Sequence, residues 1–372
     1  MTDLPPVPFV DLRRDDGDDD AAAVRAAIDR VVARGWYILG PEVEAFESEF
    51  AQASGARYAV GVGNGTDAIA LLLRAAGIGR DDEVVVPAMT AAFTALAVIA
   101  AGARPIFADV DPATLTIDPA AFAAAITPRT RAVVPVHLYG QAAEMSAVRE
   151  IASRHALVVI EDCCQAHLAT TRGLPVGTIG AGGAFSFYPT KNLGALGDGG
   201  AVITNDAAVA DRVRRLRNGG QARRYNHIEA GVNSRLDEMQ AAVLRARLPH
   251  LARATTRRRE LAVRYRRLLP QSVDAIHERD PGHVYHLFPV RSSRRDALQA
   301  ALASSGIETL IHYPVSLPDQ PAFAPYAPSP CPVATEAART LLSLPLTPRT
   351  ADGDVDRVAS AVAAFQKGYV PA

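Results

Sequence analysis

The first half of the chain alternates short apolar runs with longer stretches of helical periodicity. The runs predict strands at 58–62, 83–87, 105–110, 132–137, 157–160 and 184–187, and the stretches predict helices at 18–34, 42–54, 68–76, 90–101, 119–126 and 146–155. This alternation predicts an α/β fold, in which a mostly parallel sheet is covered by helices on both faces. Ligands of such sheets bind beyond the carboxyl ends of the strands.

The pattern changes after Asn205. Helices are predicted at 206–218, 231–249, 255–268 and 296–304 and after Pro348, a β segment at 284–290, a polar loop at 219–225 and a Pro-rich stretch at 313–332. The steady alternation is lost from about residue 251. We therefore expect an N-terminal arm and helix at 1–34, a large domain at 35–250 and a smaller C-terminal α+β domain at 251–372.

The amino-acid composition favours a globular enzyme over a protein that binds nucleic acid or membranes. A chain of 372 residues exceeds the size that one core usually serves, and 49% hydrophobic with 21% charged residues is ordinary for a globular enzyme. Lys and Arg, at 39, nearly balance Asp and Glu, at 40, which argues against a nucleic-acid or membrane partner. No secretory signal or membrane-spanning run is present, so we expect a cytoplasmic protein. The three cysteines, Cys163, Cys164 and Cys331, offer neither a zinc site nor a disulfide framework, and we expect no metal.

Candidate chemistry centres on Lys191, which lies in a segment flanked by glycines. A lysine whose pKa is lowered by its surroundings supplies a neutral amine that attacks an aldehyde to form a Schiff base. Asp162 ends the apolar run at 157–160, where a carboxylate can pair with a pyridinium nitrogen. Together these are two of the contacts that pyridoxal phosphate needs, although a lysine near glycines is by itself most often a solvated surface charge.

A third contact comes from the Gly-rich turn between the strand at 58–62 and the helix at 68–76. Such a turn directs free backbone N–H groups and the positive end of the helix dipole at one point, which suits a phosphate, and Thr66 adds a hydroxyl. Similar turns also occur without ligands. The phosphate turn, Asp162 and Lys191 all lie at predicted strand ends or in the loops that follow them, so we expect them to converge.

Six motifs carry a family resemblance: GPEVEAFE at 40–47, GNGTDA at 63–68, PVHLYGQ at 135–141, EDCCQAH at 161–167, SFYPTKNLGALGDGG at 186–200 and GVNSRLDEMQA at 231–241. In order and spacing they resemble the StrS/DegT-type nucleotide-sugar aminotransferases, which are fold-type I pyridoxal-phosphate enzymes. The resemblance covers nearly everything from Gly35 to the C-terminal helix. It implies a cytoplasmic enzyme that aminates nucleotide sugars in amino-sugar biosynthesis.

The resemblance also assigns roles to residues. It implies Lys191 as the Schiff-base lysine, Asp162 as the partner of the ring nitrogen and Gln165 near the ring. Phosphate contacts are implied for Gly65, Thr66 and Ser186, and for Asn233 toward the neighbouring subunit's cofactor, so the active unit is expected to be a homodimer. L-glutamate is the implied amino donor and a nucleotide-linked keto sugar the acceptor. Substrate contacts are expected from Tyr37, Tyr188, Tyr225, His312 and Tyr313.

The chain departs from the family pattern at two places. Ala91 stands where an aromatic residue often faces the cofactor ring, which leaves Phe93 as a candidate for either stacking or the helix core. Cys163 and Cys164 stand where small residues such as Ala are usual, and no role is assigned to them.

Several alternatives stay open. The motif after Lys191 resembles members that aminate C3 of a 3-keto-6-deoxyhexose more than those that aminate C4, but amination at C4 or of a ketocyclitol uses the same chemistry. A non-catalytic pyridoxal-phosphate-binding regulator is a rival of another class. Lys191 argues against the dehydratase branch, which has histidine there, and the glycine spacing argues against a dinucleotide-binding module.

Overall fold

The structure, a computed structural model, describes residues 5–13, 20–327 and 329–367, with only the backbone described for the last residue. The start of the helix predicted at 18–34, part of the predicted arm, and residues 328 and 368–372 of the predicted small domain lie outside the described residues. The strands are β1 Tyr58–Val62, β2 Glu83–Pro87, β3 Arg104–Ala108, β4 Thr130–Val133, β5 Val158–Asp162, β6 Thr170–Thr171, β7 Leu174–Pro175, β8 Gly182–Ser186, β9 Gly200–Thr204, β10 Gln221–Arg223, β11 Asn226–His227, β12 Asp274–Ala275, β13 Phe288–Arg291 and β14 Leu341–Leu344.

Seven strands form the central sheet, in the order β1-β9-β8-β5-β4-β2-β3. Neighbours from β8 to β3 pair in parallel, and β9 pairs antiparallel with both β1 and β8. Six of the seven strands therefore point the same way. The predicted α/β class with a mostly parallel sheet is confirmed, and the carboxyl ends of β1, β5 and β8 lie along one edge.

The helices are α1 Ala21–Arg34, α2 Pro41–Ala53, α3 Gly65–Ala75, α4 Ala92–Ala100, α5 Pro119–Ala124, α6 Met145–Arg154, α7 Ala207–Leu216, α8 Glu238–Arg247, α9 Leu251–Leu268, α10 Arg295–Ser304, α11 Pro332–Thr340 and α12 Asp352–Lys367. Alternation along β2 shows how they cover the sheet. Val84 and Val86 pack with α3, α4 and α7, whereas Val85 packs with α5 and α6 on the other face. Helices thus cover both faces, as predicted.

The C-terminal part contains a second antiparallel sheet in the order β12-β13-β14. Its residues share a hydrophobic cluster with α9, α10 and α12, and Val7 of the N-terminal segment joins that cluster. However, buried alanines of α11 belong to the core of the central sheet. Side-chain packing therefore crosses the predicted boundary, and the division at 35–250 and 251–372 stays a prediction.

Several predicted elements were wrong or missing. Strands β9 and β14 and helix α11 were not predicted, and α8 begins at Glu238 rather than at residue 231. The Glu238 N–H donates to Tyr37 O at 3.0 Å, and residue 237 before it is extended, so no helix can begin earlier. The β segment at 284–290 shrinks to β13 because Tyr285 has φ of 46°, which a regular strand cannot accommodate.

Within the described ranges, no helix combines the length and the apolar character that crossing a membrane requires.

Candidate active site

Lys191 lies in the loop between β8 and β9. The Phe187 N–H donates to Gly199 O at 2.7 Å and closes the base of this loop, and the Lys191 N–H donates to Tyr188 O at 2.8 Å. The turn is tight at Gly194, where a Cβ would lie 2.4 Å from Pro189 O. The glycines therefore permit a compact loop that fixes the backbone of the lysine.

The surroundings of Lys191 favour its neutral amine. Burial lowers the pKa of Lys191, and the Cys164 thiol and the Asp162 carboxylate oppose part of that shift. The Lys191 amine is therefore unprotonated at neutral pH in a larger fraction of molecules than the amine of an exposed lysine. Only two lysines occur in the sequence, Lys191 and Lys367, so the nucleophilic amines of this chain are few.

Asp162 is the last residue of β5 and is 5% exposed. Its Oδ1 accepts the Cys164 N–H at 3.1 Å, and its Oδ2 accepts the Thr94 hydroxyl at 2.8 Å. The Thr94 hydroxyl in turn lies 3.2 Å from the hydroxyl of Thr90, which precedes α4. Neutral donors thus hold the carboxylate in place and leave its charge to serve a cationic partner, as a protonated pyridine ring requires.

The phosphate turn stands at the N-terminus of α3. Asn64 caps the helix by accepting the Asp67 N–H at 2.8 Å, and among the described residues no protein group accepts from the N–H groups of Gly65 and Thr66. A Cβ on Gly65 would come within 2.6 Å of Cys164 Sγ and 2.8 Å of Ser186 Cβ. Free amides, a hydroxyl and a close approach that excludes side chains are the features of a phosphate cradle.

Gln165 connects the site to Tyr139 and Tyr313. Its Oε1 accepts the Tyr139 N–H at 2.7 Å, which fixes the amide so that Nε2 donates to Tyr313 OH at 2.9 Å. The Tyr139 hydroxyl donates to His312 O. Burial, with a further contribution from the Lys191 charge, lowers the pKa of His312 to about 4. His312 and Tyr313, predicted from the sequence, therefore lie beside Gln165.

The other predicted substrate residues lie at the surface of the chain. Tyr37, Tyr188 and Tyr225 are 49%, 53% and 80% exposed. Asn233 is also exposed, and its backbone pairs with Asn218. Of the residues that we predicted, Asp162, Gln165, Ser186, Gly65, Lys191, His312 and Tyr313 come together, as the contacts and electrostatic effects above indicate. Tyr37, Tyr225 and Asn233 make no contact with that group among the contacts of the described residues.

Two further features contain arginines that are paired within the chain. Arg217 is buried and donates to Glu47 Oε1 at 2.5 Å and to Gly61 O at 2.6 Å. A cavity of about 480 Å³ borders Lys191 on the side of α9, but of the residues predicted to hold the cofactor only Lys191 lines it. Its Arg257 is paired with Asp352 at 2.7 Å.

A buried His137, Glu161 and Cys163 cluster has the composition of a metal site. His137 Nδ1 accepts the Ala143 N–H at 3.1 Å, so Nε2 carries the proton and donates to Glu161 Oε2 at 3.1 Å. Glu161 also accepts backbone N–H groups of Gly177, Ile179 and Gly180. Because both ring nitrogens are engaged, the cluster is a structural hydrogen-bond network.

Sequence reasoning missed the residues that support the site. Thr94 holds Asp162, Tyr139 orients Gln165, and Ser234 Oγ links the loop before α8 to Asp67 at 2.6 Å. Thr90 and Thr94 were detectable as two polar positions four residues apart in the otherwise apolar segment predicted as a helix at 90–101, although α4 itself begins at Ala92. Tyr139 and Ser234 act through contacts distant in sequence, which no local pattern signals. Phe93, considered for stacking or for the core, is 63% exposed and is not core in this chain.

The residues present fit pyridoxal phosphate. A lysine with a lowered pKa, a carboxylate held at a strand end, and a cradle at a helix N-terminus that a Cβ would fill meet at the carboxyl edge of one sheet. Lys191 would hold the aldehyde carbon, Asp162 the ring nitrogen, and Gly65, Thr66 and Ser186 the phosphate. Fold and site together define the class of the pyridoxal-phosphate-dependent aminotransferases.

Comparison with known proteins confirms this class. The model of the DegT/DnrJ/EryC1/StrS aminotransferase family matches residues 18–363, and the chain belongs to that family. Over 365 residues, 97% of this chain and 96% of the relative, it is 48% identical to the dTDP-3-amino-3,4,6-trideoxy-alpha-D-glucose transaminase of Streptomyces venezuelae. Over 93% of this chain and 95% of the relative it is 44% identical to the "Pleiotropic regulatory protein" of Geobacillus stearothermophilus.

A solved structure gives the same result for the fold. The crystal structure of S. venezuelae DesV in complex with a ketimine intermediate superposes with a TM-score of 0.95 at 47% identity, covering 99% of this chain and 100% of that one. The family resemblance, the fold-type I aminotransferase architecture and the enzyme class predicted from the sequence are confirmed. The roles assigned to individual residues remain predictions.

Proposed function

We propose that this protein transfers the amino group of L-glutamate to C3 of a nucleotide-linked 3-keto-6-deoxyhexose, with pyridoxal phosphate as cofactor, in amino-sugar biosynthesis. The observation that carries the proposal is the convergence of Lys191, Asp162 and the α3 N-terminus at one sheet edge. The choice of a nucleotide-linked sugar and of C3 is supported by the name of the S. venezuelae relative and by the motif that follows Lys191.

Lys191 is proposed to work as both anchor and base. When bound, pyridoxal phosphate supplies an electron sink and a temporary carrier for the amino group. The Lys191 amine holds the cofactor and, once released from it, moves a proton from and to the α-carbon of the donor. Burial serves this role because it lowers the pKa of the amine and leaves it able to accept that proton.

Asp162 is proposed to keep the ring nitrogen protonated. Its carboxylate is fixed by the Cys164 N–H and the Thr94 hydroxyl, so the negative charge stays at one place throughout the reaction. A preorganised charge of this kind would stabilise a cationic ring nitrogen without any rearrangement of the protein. The unengaged amides of Gly65 and Thr66 are proposed to hold the phosphate together with Ser186.

The acceptor side is proposed to be completed by a second copy of the chain in a homodimer. Support comes from exposure: Tyr37, Tyr188, Tyr225 and Asn233 are surface residues of one chain. Exposed aromatic side chains are enriched where a protein meets a partner or a ligand. His312 and Tyr313 lie beside Gln165 and are proposed to contact the acceptor from within the same chain.

The test combines spectroscopy and product analysis. Protein reconstituted with pyridoxal phosphate is titrated with L-glutamate while the visible absorbance of the bound cofactor is followed. It is then supplied with 3-keto and 4-keto dTDP-6-deoxyhexoses and a ketocyclitol. We expect glutamate to bleach the visible band and the 3-keto sugar to restore it, with NMR placing nitrogen at C3. Nitrogen at C4 or on the cyclitol would overturn the position. A cofactor band indifferent to every amino acid would favour the regulatory alternative, which the name of the G. stearothermophilus relative also suggests.

A further inference from the structure

The residue after the proposed Schiff-base lysine is tied to a distant segment by both ends of its side chain. Asn192 Nδ2 donates to Val284 O at 3.0 Å, and Asn192 Oδ1 lies 3.2 Å from His286 Nδ1. Because a carbonyl oxygen only accepts, Val284 O fixes which end of the amide is Nδ2. Oδ1 then faces the imidazole, and His286 must donate from Nδ1.

The segment that holds Asn192 is itself immobilised. The Val284 N–H donates to Gly140 O at 2.9 Å, and a Cβ on Gly140 would lie 2.9 Å from His286 N, so the two backbones are in close contact. Arg258 Nη1 donates to the carbonyl oxygens of Tyr285 and His286 at 3.1 and 3.4 Å. Asn192 is therefore fastened to a rigid support, which also adjoins Tyr139 and thus Gln165.

The surroundings of His286 keep its ring neutral. The side chain is buried, at 7% exposure, and burial lowers its pKa well below the usual value. The charged or titratable groups close enough to add to this shift are Lys191, Arg258, His312 and His167. A neutral ring with its proton on Nδ1 is a donor to Asn192 and keeps a lone pair on Nε2.

We infer that His286 is a positioning residue for Lys191: its Nδ1–H holds Asn192 against the 284–286 segment and so sets the backbone from which the reactive amine extends. The lysine side chain must reach its target from a fixed base, because small displacements of a reacting group cost large factors in rate. The role in catalysis rests on the proposed function, whereas the placement of the Lys191 amine can be measured without cofactor.

Three substitutions separate the two ring nitrogens. Asn in place of His286 keeps a donor near the Nδ1 position, Gln keeps a polar group near the Nε2 position, and Ala removes both. We therefore compare His286→Asn, His286→Gln and His286→Ala with Asn192→Ala and with the double variant His286→Ala/Asn192→Ala. Thermal melting of each variant identifies any that fails to fold.

The readout is the modification rate of Lys191 by an amine reagent in cofactor-free protein, measured by mass spectrometry across pH, with Lys367 as internal reference. We expect His286→Ala and Asn192→Ala to change the Lys191 rate by about tenfold, as loss of one hydrogen bond allows. The double variant should change the modification rate of Lys191 no more than either single variant does. His286→Asn should match the wild type, and Lys367 should not respond.

Two results would overturn the inference. The first is a Lys191 rate unchanged in His286→Ala. The second is a His286→Gln protein that matches the wild type while His286→Asn resembles Ala, since this would assign the effect to Nε2. The same variants, loaded with cofactor, should show a shifted pH midpoint of the visible band. If wild-type protein binds cofactor but does not respond to glutamate, the proposed function fails, while the modification rates still judge the position of His286.

Discussion

The two halves of the proposed active site are built in opposite ways. The cofactor half, with Asp162, Gln165 and Ser186, lies at the ends of buried strands or just beyond them, and neighbours within the chain hold its side chains. The acceptor half includes Tyr37 and Tyr225, which are 49% and 80% exposed. The proposed cofactor contacts thus lie at strand ends and in tightly held loops, whereas Tyr37 and Tyr225, which are proposed to select the substrate, lie on exposed loops.

This difference predicts which measured property a substitution in each half should change. In the cofactor half a change removes charge, room or a proton acceptor that no neighbour can replace. In the acceptor half, a change at Tyr37 or Tyr225 alters an exposed side chain that contributes little to folding. We expect rates and cofactor binding to respond in the first region, and the Michaelis constant for the acceptor to respond in the second.

The largest effect is expected from Lys191→Ala. Removing the Lys191 amine eliminates both the proposed cofactor anchor and the proposed proton carrier, and general acid–base catalysis alone is worth about 10² to 10⁴ in rate. Turnover with glutamate and a keto sugar should fall to background, and reduction with borohydride should no longer fix cofactor to the protein. Lys367→Ala is the matched control, and mass spectrometry should show that the cofactor in this variant is attached to Lys191. Attachment of the cofactor to Lys367 in the wild-type protein would contradict the assignment.

Asp162→Asn should come next. The substitution keeps the shape of the side chain but removes its charge, and loss of one preorganised electrostatic contact costs about 10² to 10³ in rate. Thr94→Val should cost less, about tenfold, because it removes one hydrogen bond to Oδ2 and leaves the carboxylate in place. Thr90→Val is the control, since among the described contacts Thr90 touches Thr94 but not Asp162. Equal rates for Thr94→Val and wild type would show that the hydroxyl does not orient the carboxylate.

Gly65→Ala should weaken phosphate binding and the fold together. The new Cβ would lie 2.6 Å from Cys164 Sγ and 2.8 Å from Ser186 Cβ, and overpacking of this kind costs about 1 to 3 kcal/mol. Melting temperature and cofactor affinity should both fall. Gly353→Ala in α12 meets nothing within 4 Å and should leave both unchanged or raise stability slightly.

A double-mutant cycle between Gly65 and Cys164 tests whether their close contact causes the loss of stability in Gly65→Ala. Replacing Cys164 with Ala removes the sulfur that meets the new Cβ, so Gly65→Ala should cost less in the Cys164→Ala background than alone. Additive costs would show that the damage comes from the turn itself. Cys164, to which no role was assigned from the sequence, would then have no role in packing the phosphate turn either.

Local sequence patterns can place the proposed cofactor residues more readily than the residues that support them, for a physical reason. Strand ends and Gly-rich turns are local features, so Asp162, Gly65 and Lys191 could be placed on one sheet edge from periodicity alone. The support of the site is not local: Thr94 reaches Asp162 across 68 positions, and Tyr139 reaches Gln165 across 26. The same limit hid the segment at 284–287, where the positive φ of Tyr285 keeps the strand from beginning where the apolar pattern predicts it.

A smaller and different effect is expected at Tyr225. The ring is 80% exposed, with the Arg224 guanidinium 5.0 Å from its centroid, so Tyr225→Ala should change the free energy of unfolding by no more than about 0.5 kcal/mol. The rate at saturation and the affinity for cofactor should persist, while the Michaelis constant for the nucleotide sugar rises. Tyr225→Phe separates the hydroxyl from the ring. A fall in cofactor affinity instead would place Tyr225 in the cofactor half.

The smallest effect concerns stability, and its sign follows from the environment of Lys191. Burial lowers the pKa of Lys191 in the folded chain below the value of about 10.4 expected when the chain is unfolded. Between these two pKa values the unfolded chain binds the proton more strongly, so the cost of burying this lysine is full below the folded pKa and fades as pH rises toward 10.4. Cofactor-free Lys191→Met should therefore be more stable than wild type at pH 7, and the difference in urea-unfolding free energy should shrink as the pH is raised to about 10.4. A difference that grows with pH would mean that the folded site favours the ammonium, and Lys191 would then be a poor nucleophile before cofactor arrives.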